Sequence, residues 1–155
     1  MQGNAEVLEF LNEALAAELT AVNQYFLHAK MCDDWGYTKL GGLYREESID
    51  EMRDAEKLME RILLLDGRPN MVPLNVQVGG SVAEQLAANK QLEADAVDRY
   101  RRGVTLCLQH GDAGTRELLE TILVGEEEHL DWIETQESII ADIGIELYQQ
   151  SMTAG

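Results

Sequence analysis

Residues Gly125 to Glu134 read GEEEHLDWIE, and residues Ser48 to Lys57 read SIDEMRDAEK. Each stretch carries a glutamate followed three positions later by a second group able to bind a cation: Glu126 with His129, and Glu51 with Asp54. Residues three apart share one face of a helix, so each stretch points two such groups the same way. The apolar residues show which way that is. Around Glu126 the stripe runs Leu119, Ile122, Glu126, His129, Ile133, in steps of three and four. Glu126 and His129 therefore occupy positions where a core leucine belongs.

The same conflict recurs three times. An earlier stripe runs Leu11, Leu15, Glu18, Val22, Tyr25, Ala29; a later one runs Leu86, Lys90, Glu93, Val97, Tyr100, Val104. Glu51 and Asp54 lie in phase between Glu47 and Leu58. Four amphipathic segments thus carry ionisable groups into the core, which is costly unless something positive binds them.

The breaks between segments give the topology. Apolar spacing is interrupted at DDWGY, Asp33 to Tyr37, and again at QHGDAG, Gln109 to Gly114. Both prolines, Pro69 and Pro73, fall in one long connection, Asp66 to Gly80. Ser81 and Glu84 then form a capping-box signal that opens the third segment. Four helices of about 25 to 30 residues, each about 40 Å long, follow from a rise of 1.5 Å per residue. The fold class is all-α: a four-helix bundle with a long crossover between helices two and three, a short C-terminal helix after Gly144, and one domain over residues 1–155.

The two halves repeat at an offset of 75 residues: Glu18 maps to Glu93, Ala21 to Ala96, Val22 to Val97, Tyr25 to Tyr100, Gly36 to Gly111 and Glu51 to Glu126. Glu18 and Glu51 are centred on the Trp35–Gly36 turn, and Glu93 and Glu126 on the His110–Gly111 turn. In an antiparallel hairpin, residues equidistant from the turn lie side by side. Glu18, Glu51, Asp54, Glu93, Glu126 and His129 are therefore expected in one layer.

Composition narrows the ligand. Twelve Lys and Arg stand against 29 Asp and Glu, a formal charge of −17, which repels nucleic acid and anionic membranes and attracts cations. Cys32 and Cys107 form no CxxC pair and are expected to be reduced, buried thiols, which argues against zinc or an iron–sulfur cluster. Hard carboxylate oxygens with an imidazole suit iron or manganese, and two bridged ions would neutralise most of the buried charge. The acidic start and the lack of a long apolar run predict neither a secretory signal nor a membrane span, hence a cytoplasmic protein. A chain of 155 residues leaves no spare length for the substrate cavity or electron-transfer domain of an oxygenase.

The blocks AVNQYFLHAKM, WGYTKL, ESIDEMR, RILLLDGRPN and EEEHLDWIETQ closely resemble bacterioferritin, and the resemblance runs from Met1 to about Gln150. It implies a ferritin-like bundle that oxidises Fe(II) with oxygen or peroxide at a di-iron centre, and a shell of twenty-four subunits that stores the ferric product. It implies that Glu51 and Glu126 bridge the two irons, with Glu18 and residue 54 on one and Glu93 and His129 on the other. Tyr25 would stand beside the centre. Met52 corresponds to the family's haem ligand, so haem b would sit between two subunits, lined by Leu19, Asn23, Phe26 and Ile49. Helical phase agrees, since Met52 is 100° from Glu51 and faces outward.

One residue departs from the family pattern: Asp54 stands where the motif has histidine. Asp is shorter and anionic, so the first site is either modified or impaired. With an impaired site the chain would serve as a haem-bearing storage and assembly subunit in a mixed shell. Expected partners are Fe(II), oxygen or peroxide, further copies of this chain or a second subunit of the same kind, and an electron-donor protein for iron release.

Overall fold

The computed structural model describes residues 1–72 and 75–154; Pro73 of the expected crossover and Gly155 of the expected domain lie outside them. Five helices follow one another: α1 (Ala5–Asp34), α2 (Thr38–Leu64), α3 (Val82–Gln109), α4 (Ala113–Ile143) and α5 (Ile145–Ser151). The all-α bundle with a long crossover and a short final helix is as the sequence predicts. None of the described helices is long and apolar enough to cross a membrane.

Local chemistry sets each boundary. The Asn4 side chain accepts from the amides of Glu6 and Val7, and the Asp112 side chain accepts from that of Thr115, which caps α1 and α4. Ser81 caps α3 by accepting from Glu84 N–H. The reciprocal half of the expected capping box falls one residue earlier, because Glu84 Oε2 accepts from Gly80 N–H at 2.8 Å.

Both hairpin turns are built alike. Gly36 and Gly111 adopt φ of +89° and +66°. The next residue in each case, Tyr37 or Asp112, returns its amide to the carbonyl of Cys32 or Cys107, at 2.8 and 2.9 Å. Each is a Schellman stop, in which glycine takes the left-handed position without steric cost. The repeat read from the sequence thus extends to the backbone, and to the two free, buried cysteines beside it.

The crossover is tied to α1 by three polar side chains. Asn12 bonds Arg68 O and Asn70 N, Gln24 Oε1 accepts from Gln77 N–H, and His28 Nε2 accepts from Gly79 N–H at 3.0 Å. Buried Asn89 on α3 supports Gln24 and His28 through its Oδ1. Since Nε2 accepts, Nδ1 of His28 carries the proton, and burial holds the ring's pKa below the usual range.

The apolar core is in two parts. At one end Val7, Leu11, Leu15, Leu58, Ile62, Leu119 and Ile122 pack together; at the other Ala29, Leu40, Tyr44, Leu86, Ile133 and Tyr148 do so, with α5 closing that end. Between them lie the buried carboxylates Glu18, Glu51, Glu93 and Glu126. Lys90, placed by spacing on the inner stripe, instead lies at the surface with its Nζ 2.8 Å from Glu137; buried Gln85 and Asn89 take the inner phase.

At Gly36 and Gly111 an added Cβ would meet nothing within 4 Å, so backbone strain alone decides a substitution. Gly111→Val should destabilise the fold by about 1–2 kcal/mol, the cost of a left-handed residue with a side chain. Chemical denaturation checks this, and Gly36→Val should behave the same way.

Candidate metal centre

The four long helices each deliver to one layer. Glu18 comes from α1, Glu51 and Asp54 from α2, Glu93 from α3, Glu126 and His129 from α4. One oxygen each of Glu18, Glu51, Asp54 and Glu126 lie within 4.8 Å of one another. A second cluster within the same limit joins Glu47, Glu51, Glu93 and His129. Glu51 belongs to both. All six residues expected from the sequence therefore converge, and they do so as two adjoining clusters.

Hydrogen bonding leaves this layer incomplete. Glu18 Oε2, Glu47 Oε2, Glu51 Oε2, Glu93 Oε2 and Glu126 Oε1 are buried with no hydrogen-bond partner. Five orphaned carboxylate oxygens in one layer are a donor set for cations, since a buried unpaired anionic oxygen is otherwise strongly disfavoured. The remaining oxygens of the two terminal glutamates are occupied. Tyr25 Oη donates to Glu93 Oε1 at 2.6 Å, and Tyr100 Oη donates to Glu18 Oε1 at 2.5 Å.

His129 is held between carboxylates. Its Nδ1 lies 3.1 Å from Glu51 Oε1 and 3.7 Å from Glu93 Oε1, while its Nε2 lies 2.9 Å from Glu47 Oε2. Glu47 is the residue that sequence reasoning left unassigned. Its signal was present, because it lies four positions before Glu51 on the same helix face. Its ion-pair contact with Nε2 leaves Nδ1 facing Glu51 and Glu93, and Glu47 itself belongs to the second cluster beside them.

Without a cation, the layer neutralises itself with protons. Burial pushes Glu18 up to about 7 against the lowering effect of its hydrogen bonds to Glu51 and Tyr100, and pushes Asp54 up to about 6 against the lowering charges of Lys57 and His129. Burial and the charge of Glu18 hold Glu51 and Glu126 well above the carboxylate range. Burial alone would lower His129, but Glu47 and Glu93 outweigh it and raise the imidazole to about 11. Glu93 goes the other way: burial is outweighed by hydrogen bonds from Glu126 and His129, and its pKa falls.

A cleft of about 580 Å³ opens between α1 and α3 onto Glu18, Glu51 and Glu126. Its walls include the small side chains of Ala17, Ala21, Ala87, Ala88 and Ala96, with Asn75 and Gln77 of the crossover at the rim. Chain length led us to expect no such room; alanines in place of larger side chains create it without adding residues.

The outward face of α1 and α2 carries the residues expected to line a haem. Met52 is 48% exposed although its neighbour Glu51 is fully buried, and Phe26 and Ile49 are also exposed. Leu19 is half-buried, and exposed Asn23 turns its amide back to Leu19 O.

A long-crossover bundle with carboxylates converging from all four helices has the ferritin-like architecture, and a ferritin-like domain profile matches residues 8–141. The bacterioferritin of Streptomyces coelicolor is 52% identical over 149 residues, covering 96% of this chain and 89% of that protein. Bacterioferritin BfrA of Mycobacterium tuberculosis is 47% identical over 149 residues, 96% of this chain and 94% of its own. That of Brucella melitensis is 43% identical over 151 residues, 97% and 94% of the two chains. The chain belongs to the bacterioferritin family, whose members store iron.

The pKa pattern gives a pH dependence. Glu18 and Asp54 have folded values above their ordinary 4.5 and 3.8, so the stability they contribute is complete below those values. It is lost as pH rises through about 6 to 7. The metal-free chain should therefore melt at a lower temperature at pH 8 than at pH 5. Binding of a divalent ion displaces these protons, so affinity should rise with pH over the same window. Calorimetry in buffers of different ionisation enthalpy counts the protons released.

Proposed function

We propose that this chain is a ferroxidase subunit, acting as one domain over residues 1–155, that oxidises Fe(II) at the carboxylate layer and passes Fe(III) into a storage shell. The observation that carries the reading is the set of five orphaned buried oxygens shared between two adjoining clusters. Glu51 and Glu126 are the bridging ligands. Glu18 and Asp54 complete one iron position; Glu93 and His129 complete the other, with Glu47 orienting the imidazole. Iron is substrate and cargo here.

The chemistry follows from the donors. Carboxylates bind the harder Fe(III) more strongly than Fe(II), which favours loss of an electron. Two adjacent ions supply two electrons together. With peroxide as oxidant, both electrons enter the O–O bond, and two protons complete two waters. With oxygen, the same two electrons and two protons give peroxide. The layer's own protonated carboxylates release protons as the ions enter, and the cleft between α1 and α3 gives iron and oxidant a route from solvent.

The outward stripe of Leu19, Asn23, Phe26, Ile49 and Met52 is proposed to hold haem b against the same stripe of a second copy. Two thioether sulfurs, one Met52 from each subunit, suit its iron. An electron-donor protein would reduce the stored mineral for release, and the shell is proposed to have twenty-four subunits.

In stopped-flow mixing, the homomer should oxidise two Fe(II) per chain in a fast phase, absent when Glu51 and Glu126 are both replaced by Ala. A fast phase present only after Asp54→His would replace this reading by that of a haem-bearing subunit with an impaired centre. Haem-reconstituted protein should show a low-spin spectrum that Met52→Leu removes while the assembly persists. A spectrum unchanged by that substitution would exclude Met52 as the ligand.

A further inference from the structure

Tyr100 lies in the layer with no role assigned to it so far. It is buried, on α3, and its hydroxyl reaches across to Glu18 Oε1 on α1 at 2.5 Å. An O–H···O⁻ contact of 2.5–2.7 Å is the charge-assisted, strong kind. The other oxygen of Glu18 is buried and has no partner.

The opposite side of the layer repeats the arrangement with the helices exchanged. Tyr25 on α1 reaches Glu93 Oε1 on α3 at 2.6 Å, and Glu93 Oε2 is free. Both pairs obey the 75-residue offset, with Tyr25 matching Tyr100 and Glu18 matching Glu93. The resemblance to bacterioferritin drew attention to Tyr25; the repeat within this chain makes Tyr100 its counterpart.

Packing, rather than the hydrogen bond alone, sets where the Tyr100 hydroxyl stands. Its ring meets Phe10 edge-on, with centroids 6.5 Å apart and planes at 78°. Phe10 in turn lies against Gly103, where an added Cβ would come within 2.3 Å of its ring. One turn of α3 thus seats the phenylalanine that braces the tyrosine.

A carboxylate with one oxygen committed to a hydroxyl offers only the other to an ion. We propose that Tyr100 is a positioning residue for the Asp54 half of the centre, confining Glu18 to ligation through Oε2 alone. It matters most in this half, where Glu18, Glu51, Asp54 and Glu126 are all carboxylates and each can otherwise chelate with both oxygens. The inference rests on the two-ion reading of the layer.

Co(II) serves as the probe. The unsubstituted metal-free protein, Tyr100→Phe and Tyr25→Phe are titrated with Co(II) while its visible absorption is recorded, and crystals soaked in limiting Co(II) give the occupancy of each position by anomalous scattering. Loss of an outer hydrogen-bond partner typically weakens a metal site about 10- to 100-fold. Tyr100→Phe should weaken the Asp54 position by that factor and leave the His129 position within about twofold. Its Co(II) band should lose intensity, as Glu18 ligates through both oxygens and coordination number rises. Tyr25→Phe should give the mirror image. Unchanged affinities, or equal weakening of both positions, would overturn the positioning role while leaving the two-ion reading intact. Failure of the unsubstituted protein to bind Co(II) would overturn both.

Discussion

The bundle is organised around the mutual repulsion of carboxylates that cannot reach water. Glu18, Glu51, Glu93 and Glu126 occupy the middle of the core, with an apolar cluster above and another below. Neither cluster alone spans the bundle. The layer therefore sits between two packed clusters, and its geometry is inherited from the packing on both sides. A buried cluster of like charge is tolerated only with compensation, supplied by protons, by the His129 imidazolium or by bound cations. Protons and cations would compete for the same oxygens.

Around that layer stand groups that pair with its members from neighbouring helices. Glu47 holds the far nitrogen of His129, and Tyr25 and Tyr100 each hold the far oxygen of a terminal glutamate. Metal-binding side chains are long and have several rotamers, so their outer contacts decide which atom faces inward. Here those contacts come from the helix opposite the one that bears the ligand. The helices are thereby cross-linked through the centre: α1 to α3 twice, and α4 to α2 through His129.

Much of this was legible in the sequence because helical period and turn position are local properties. Glu18 interrupting Leu11, Leu15, Val22 and Ala29 gave the inner face, and equal distances from Gly36 and Gly111 gave the height. What escaped was set by partners distant in the chain. Glu47 was on the right face, but its task depends on where His129 Nε2 points, 82 positions later. Lys90 fits the apolar period of α3 and yet turns outward, because Glu137 on α4 offers a partner at the surface. The cleft between α1 and α3 was also invisible: volume missing between helices depends on several alanines from different segments facing one another.

The paired Schellman turns have a consequence for how the chain can change length. Glu18 to Glu51 spans 33 positions and Glu93 to Glu126 also spans 33, so each hairpin acts as a ruler folded at its midpoint. A residue inserted between a glutamate and its turn rotates that glutamate by about 100° and lifts it by about 1.5 Å, out of the layer. The crossover sets no such measure, since it joins the two hairpins without fixing the height of either. Within the bundle, then, the spacing inside each hairpin fixes the height and facing of its two glutamates. Additions belong in the crossover between Asp66 and Gly80 rather than beyond Gly144, where Tyr148 and Met152 are buried against the core.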